Sequence, residues 1–444
     1  MSSSTIQLRA WNKWEVFTFR AVFIFLLLLS IPTDGEYYKE IFSAHSLQSL
    51  LQDIYQLTHT TPAFIRISNW GLASYAGWLI ALIIGVTGAF IWGLFDKRDR
   101  INYDHLYYWS RAVLRYRLAI AFIASGVILI LPLQLPYPTL SDLHTAYGDF
   151  LPWKIYYHST AVATAGYRET IGFIEIAGAL LLLNRKTTAF GAIILSFILI
   201  NIVLANFAYE IGDHLYSSYL LLIAAILIVY DYKRLYSILV SRTKAFADRF
   251  RPAYGEKIGK IRKPLKLAFI LFAVFIGALA FASYRNTYWL YPQTAGLKDA
   301  EGVYNVSSFK INDTLLPYSL TDAVRWQDVV FEKWNTLSVR DGQTHLPNLS
   351  SPFVAYQPEA RRNYEFIGNG GRIFYSYRQH DKVIELNNRN DSADHITFSI
   401  DRPDEATIRL NGKNSKGDSL WIILDKLDKE YLLKKGRRKP VSVY

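Results

Sequence analysis

Apolar residues in the first two thirds of the chain come in long blocks, and polar residues are confined to the gaps. The blocks lie near 14–31, 74–94, 118–133, 168–183, 188–208, 215–230 and 267–284. A membrane helix takes about 20 mostly apolar residues. The pattern therefore predicts an α-helical multi-pass membrane bundle of about seven spans over residues 1–284. In the gap before the second block, Leu47, Leu50, Leu51 and Ile54 recur at helical spacing and predict a short amphipathic helix. After 285 the period shortens to two, in runs at 303–306, 328–331, 372–378, 395–400, 407–410 and 420–424. Turn-forming pairs separate the runs: Asn312-Asp313, Asp341-Gly342, Gly370-Gly371 and Asn411-Gly412, the last read as a hairpin turn. About eight antiparallel strands, closed as a lipocalin-like barrel or stacked as a sandwich, are expected over 285–444.

Charge orients this plan. The net charge is +12, and residues 231–266 alone carry eleven Lys or Arg against three acids. Basic residues also crowd 96–117 and 184–186. The positive-inside rule puts those loops and the N-terminus on the cytoplasmic side, and residues 285–444 on the other. Most of the positive charge is thus accounted for by topology and by attraction to anionic headgroups. The lipid bilayer is the expected partner, and nucleic acid is not. The chain has no cysteine, so it supplies no disulfide, thiol nucleophile or iron–sulfur ligand, and redox chemistry would need a bound cofactor or a partner protein. No Ser-His-Asp order and no phosphate-cradling Gly loop is present.

Candidate chemistry begins with Glu175, an acid inside the fourth block. Ionising a carboxylate at mid-bilayer costs roughly 2.5 kcal/mol or more, so it should face other helices and have a partner. Gly172 and Ala179 share its helix face at steps of three and four, as on a face packed against a neighbour. Arg20, inside the first block, either reaches back to the near interface or pairs with Glu175. Arg168 and Glu210 lie at the outward ends of the following spans and complete a polar pocket. His45, His59, His144, His158 and His214 fall in the same outward loops. Glu210 and His214 are four apart, the spacing of two metal ligands on a helix, but Gly212 between them suggests a helix end instead.

The run from Gly172 through Glu175, Gly178 and the Asn184-Arg185-Lys186 turn into a second apolar helix, with Arg20 in the first span, resembles the DoxX/DoxD-like membrane protein family. Asn206 to Glu210, Leu215 to Leu222 and Asp231 to Leu235 resemble longer bacterial members. Gly302 to Phe309, Arg325-Trp326 and Asn411 to Asp425 resemble the C-terminal soluble domain that such members carry. The resemblance implies a bacterial inner-membrane protein with a periplasmic β domain, accessory to or associated with a redox complex. A quinone is the implied ligand, and a membrane or periplasmic protein the implied partner. The alternative is a non-enzymatic scaffold, or a ligand- or lipid-binding protein, acting through its β domain.

Overall fold

The computed structural model describes residues 11–31, 70–96, 103–131, 137–163, 166–243, 256–286, 294–349 and 365–435, with isolated positions at Lys39, His59, Phe64, Ile65, Ser68, Leu133 and Pro292. The amphipathic helix expected around Leu47 to Ile54, and His45, lie outside the described residues. The chain forms two compact units. One comprises Met1–Leu131 with Glu169–Phe281, the other Pro132–Arg168 with Ala282–Tyr444. The division thus does not fall at a single point near 284: the segment 132–168, between two apolar helices, belongs with the last third of the chain.

The helical unit is built from α1 (Lys13–Ser30), α2 (Ala76–Phe95), α3 (Asp104–Ile130), α6 (Tyr167–Leu182), α7 (Thr188–Ala208), α8 (His214–Tyr230), α9 (Tyr232–Leu239) and α10 (Glu256–Asn286). The short helices α4 (Leu140–Leu143) and α5 (Pro152–Ala161) belong to the other unit. A capping box starts α1, with Asn12 accepting from the Glu15 N–H and the Glu15 carboxylate accepting from that of Asn12. Glycines set the helix spacing. A Cβ on Gly85 would sit 2.8 Å from the Ala21 carbonyl, which brings α1 and α2 together. One on Gly172 would sit 2.6 Å from the Gly126 carbonyl, and one on Gly191 2.6 Å from the Gly178 carbonyl, joining α3 to α6 and α6 to α7.

Leu79, Ile83, Phe90 and Leu94 of α2, and Leu271, Val274 and Phe281 of α10, stand exposed, as suits helices whose solvent is lipid. Among the described residues, four helices are long and apolar enough to cross a membrane: Leu72–Phe95, Asp104–Ile130, Thr188–Ala208 and Lys263–Ala282. A fifth arises if α8 and α9, bent by 68° at Asp231, make one span. Of the other expected spans, the one near 14–31 carries Lys13, Glu15 and Arg20 in its 18 residues. That near 168–183 is a helix of 16 residues.

In the second unit, β1 (Gly302–Ile311), β2 (Thr314–Leu315), β3 (Asp328–Phe331), β4 (Thr336–Arg340), β5 (Ile373–His380), β6 (Val383–Asn388), β7 (His395–Asp401), β8 (Thr407–Asn414) and β9 (Ser419–Leu427) pair antiparallel in the order β2-β1-β3 and then in sequence order to β9. Pairing of β1 with β9 closes eight of them into a barrel, and β2 folds back on the end of β1. The Asn312-Asp313 turn does what its sequence announces, with both residues at positive φ, 47° and 63°. Alternation is strict in β7, where Ile396, Phe398 and Ile400 point inward. Tyr304, Phe309, Phe331, Tyr377, Phe398, Leu410 and Leu424 are among the side chains of one continuous core. The barrel interior is filled by its own residues.

The hairpin expected at Asn411-Gly412 is not there. Both residues lie inside β8, where Gly412 pairs with Phe398 on one side and Leu420 on the other. A Cβ on Gly412 would fall 1.8 Å from the Thr397 carbonyl, so glycine serves close strand approach. The turn comes later, at Asn414 to Asp418, with Gly417 at φ 88°.

Candidate functional site

Glu175 lies where the spacing places it, on the packed face of α6 with Gly172, Gly178, Ala179 and Leu182, and is 1% exposed. Its hydrogen-bond partner is Ser125 of α3, and Oε2 has none. Arg20 does not pair with it. Its guanidinium Nη2 is 2.9 Å from Asp96 Oδ2, and Nε and Nη2 donate to the Tyr103 hydroxyl at 2.9 and 2.7 Å. Tyr103 in turn donates to Asp96 at 2.6 Å, and Trp92 lies under the guanidinium at 5.5 Å. Side chains lean toward their helix N-terminus, which carries Arg20 toward the end of α2 and the start of α3. There it forms a buried ion pair instead of reaching solvent.

Glu210 is exposed in the turn after α7, at φ 53°, and Gly212 follows at φ 95°. Glu210 and His214 therefore share no helical face, and among the described residues no group of three or more His, Asp and Glu is arranged for a metal. His214 opens α8 fully buried, with Nε2 2.7 Å from Ser74 Oγ. His59 lies 2.8 Å from Asp213. Arg168, half-buried, belongs to the other unit. Among the described residues, no hydrogen bond or ion pair links any two of Glu175, Arg20 and Glu210.

The densest charge constellation lies in the barrel unit, between the 137–163 segment and strands β3 to β5. Thr139 and Asp142 form the capping box of α4. Asp142 accepts an ion pair from Lys154 of α5 at 2.8 Å, and His158 Nε2 lies 3.7 Å from its other oxygen. Lys154 also donates to the Glu365 backbone carbonyl at 2.7 Å. Burial alone would raise the Asp142 pKa, but the Lys154 charge and then His158 outweigh it and hold the carboxyl well below the ordinary range.

Next to it, Glu332 at the end of β3 accepts from the Ser141 N–H and hydroxyl, both at 2.7 Å. Ser141 Oγ meets Ser338 Oγ at 2.8 Å. Arg372, wholly buried, donates to Ser338 Oγ at 2.8 Å and pairs with Asp328 at 2.6 Å. His144 stands 3.6 Å from Asp328, and its Nδ1 is 2.9 Å from the Tyr431 hydroxyl. Glu365 accepts from the Trp334 indole at 3.1 Å, and its Oε2 is unpartnered. Glu332 is pushed up to about 7, first by burial and then by the neighbouring Glu365 charge. Burial also raises Glu365.

Sequence reading singled out His144 and His158 but not Asp142, Lys154, Asp328, Glu332, Glu365 or Arg372. Glu175 is thus a buried carboxyl on a packed helix face, while Asp142, Lys154, Glu332 and Arg372 form a clasp that ties the 137–163 segment to the barrel.

No protein-family model matches the chain, and no solved structure matches it. A stretch of 87 residues is 36% identical to the uncharacterized protein YwoB of Bacillus subtilis (strain 168), covering 20% of this chain and 53% of that protein. The chain thus spans about half the length of the curated relative it matches.

Proposed function

We propose that the protein is a DoxX-like subunit of a bacterial inner membrane, accessory to a redox complex, in which Glu175 exchanges protons with a quinone/quinol couple. Each turnover moves two electrons, which pass to or from the partner complex, and two protons, which Glu175 takes or returns one at a time. The N-terminus and basic loops face the cytoplasm, seven helices cross, and the barrel faces the periplasm. The observation that carries the reading is Glu175, 1% exposed on a packed helix face, with Ser125 on its carboxyl and nothing on Oε2. Intramembrane acids are costly and are retained where a proton or charge is used.

The test is purification in mild detergent followed by quinone extraction and mass spectrometry of wild type and Glu175→Gln. Wild type is expected to retain quinone, and the variant to keep its thermal midpoint while losing proton uptake coupled to quinone reduction. Wild type without quinone, or a variant with unchanged proton uptake, sinks the reading. A second reading is favoured by the filled barrel and its clasp: the helices anchor a barrel that docks a membrane or periplasmic protein. A neutral Glu175→Gln, together with loss of a co-purifying protein when the clasp is broken, selects it.

A further inference from the structure

Three basic stretches that the sequence places in separate loops meet at one cleft of the helical unit. Tyr108, Arg111, Ala112 and Arg115 of α3, Arg185 in the turn before α7, Thr188 at its start, and Tyr230 and Asp231 at the end of α8 line it. Three arginines face one carboxylate, Asp231, and Arg115 lies close enough to both Arg111 and Arg185 to be repelled by them.

Arg111 stacks its guanidinium on the Tyr230 ring, 3.1 Å from the centroid, yet its Nε is buried with no acceptor. A buried donor left unmatched calls for an account. Arg115 is held in place by donating from Nε to the Leu182 carbonyl at 2.8 Å, and Arg185 lies over the Tyr108 ring at 4.9 Å. Thr187, the residue before α7, makes no side-chain cap, so the positive end of a 21-residue helix opens beside the three cations. Orphaned donor, pre-set cations and uncapped helix end all call for the same chemistry, a compact oxyanion with several acceptor oxygens.

We propose that this cleft binds a phosphate group, carried by an anionic phospholipid headgroup or by a soluble phosphate. Arginine forks match phosphate oxygens, and basic pockets between helices at a membrane surface are suited to headgroups. Because the site lies apart from Glu175, its test is independent of the proton-exchange reading.

The experiment uses the full chain in mild detergent. Native mass spectrometry counts retained lipid, and thermal shift is recorded with phosphatidylglycerol, phosphatidylcholine or inorganic phosphate. Wild type is compared with Arg111→Gln, Arg185→Gln and Lys186→Gln, Lys186 being an exposed cation of the same turn outside the cleft. Losing one charge-assisted contact should lower phosphatidylglycerol affinity about tenfold or more in the two arginine variants and leave Lys186→Gln unchanged. That result with no response to inorganic phosphate assigns a headgroup. A shift with inorganic phosphate that both arginine variants lose assigns a soluble ligand. Equal binding by all four proteins, or equal binding of phosphatidylcholine, overturns the proposal. If Arg111→Gln fails to fold, Arg185→Gln decides alone.

Discussion

At the scale of single residues, Glu332 gives the sharpest expectation. Its pKa in the folded protein is about 7 against an ordinary 4.5, raised first by burial and next by Glu365. Below about pH 4.5 the carboxyl is protonated in both folded and unfolded chains and the shift has no effect on stability. Between 4.5 and 7 the folded state keeps a proton that the unfolded state has lost, so stability falls as pH rises, then levels off above 7. The loss is on the order of 3 kcal/mol at one residue. Glu332→Gln keeps an acceptor for Ser141 and removes the titration. Thermal unfolding from pH 5 to 8 should show a downward slope in wild type that is largely flattened in the variant; equal slopes would refute the assignment.

Asp142 behaves with opposite sign. Its depressed pKa lends stability that is present above the ordinary carboxylate value and lost as pH falls through the folded one. Removing its nearest counter-ion with Lys154→Met leaves the buried carboxylate with only Thr139 and the more distant His158, at a cost of roughly 3–5 kcal/mol. Denaturant midpoints at neutral pH read that loss. Glu175 was legible in the sequence because an acid in an apolar block has no bland surface reading. Glu332 was not, because its place at the end of a short alternating run looks like any solvated strand end. Its partner Ser141 is 191 residues away.

At the scale of elements, periodicity located the strands and most helices because burial imposes it directly. It could not count membrane crossings, since α1 and α6 are marginal in charge or length and length alone does not say what lipid each faces. It also misplaced one turn. Asn-Gly favours a hairpin when the backbone is free to choose, but at Gly412 the neighbouring strand allows no Cβ, with Thr397 oxygen 1.8 Å from where one would lie. Gly412→Ala is therefore expected to destabilise the barrel by about 1–3 kcal/mol, the cost of an overpacked interior. A matched Gly417→Asn, at a turn with φ 88° and open space around it, should cost well under 1 kcal/mol because Asn tolerates that conformation. Urea midpoints of the two variants separate them, and a tolerated Gly412→Ala would contradict the strand assignment.

At the scale of the molecule, the composition of the two units constrains how the chain threads a bilayer. Residues 137–163 and the barrel fold as one unit, so in the membrane arrangement proposed above both are expected on one side and the crossings between them to be even in number. Between them stand α6, α7, α8 and α10, of which α7 and α10 are long and apolar enough to cross unaided. Evenness then requires α6 and α8 both to cross, or neither. The arginine cleft favours both, because Arg115, Arg185 and Tyr230 meet at one end of the helices, and a chain that returns to the same end through α3 and α6, then through α7 and α8, must traverse and retraverse the bundle each time. The chain lacks cysteine, so single introduced thiols report sidedness without background. Cysteines at Tyr147 and Leu346, exposed in the barrel unit, and at Lys186 in the basic turn before α7 and Lys233 at the start of α9, both exposed, would be probed with an impermeant maleimide on intact and on opened cells. Labelling of positions 147 and 346 from outside, with 186 and 233 reached only after opening, is the outcome for seven crossings. If position 186 labels together with 147, α6 lies in or on the membrane without crossing it. Glu175 would then sit in a re-entrant helix instead of a span.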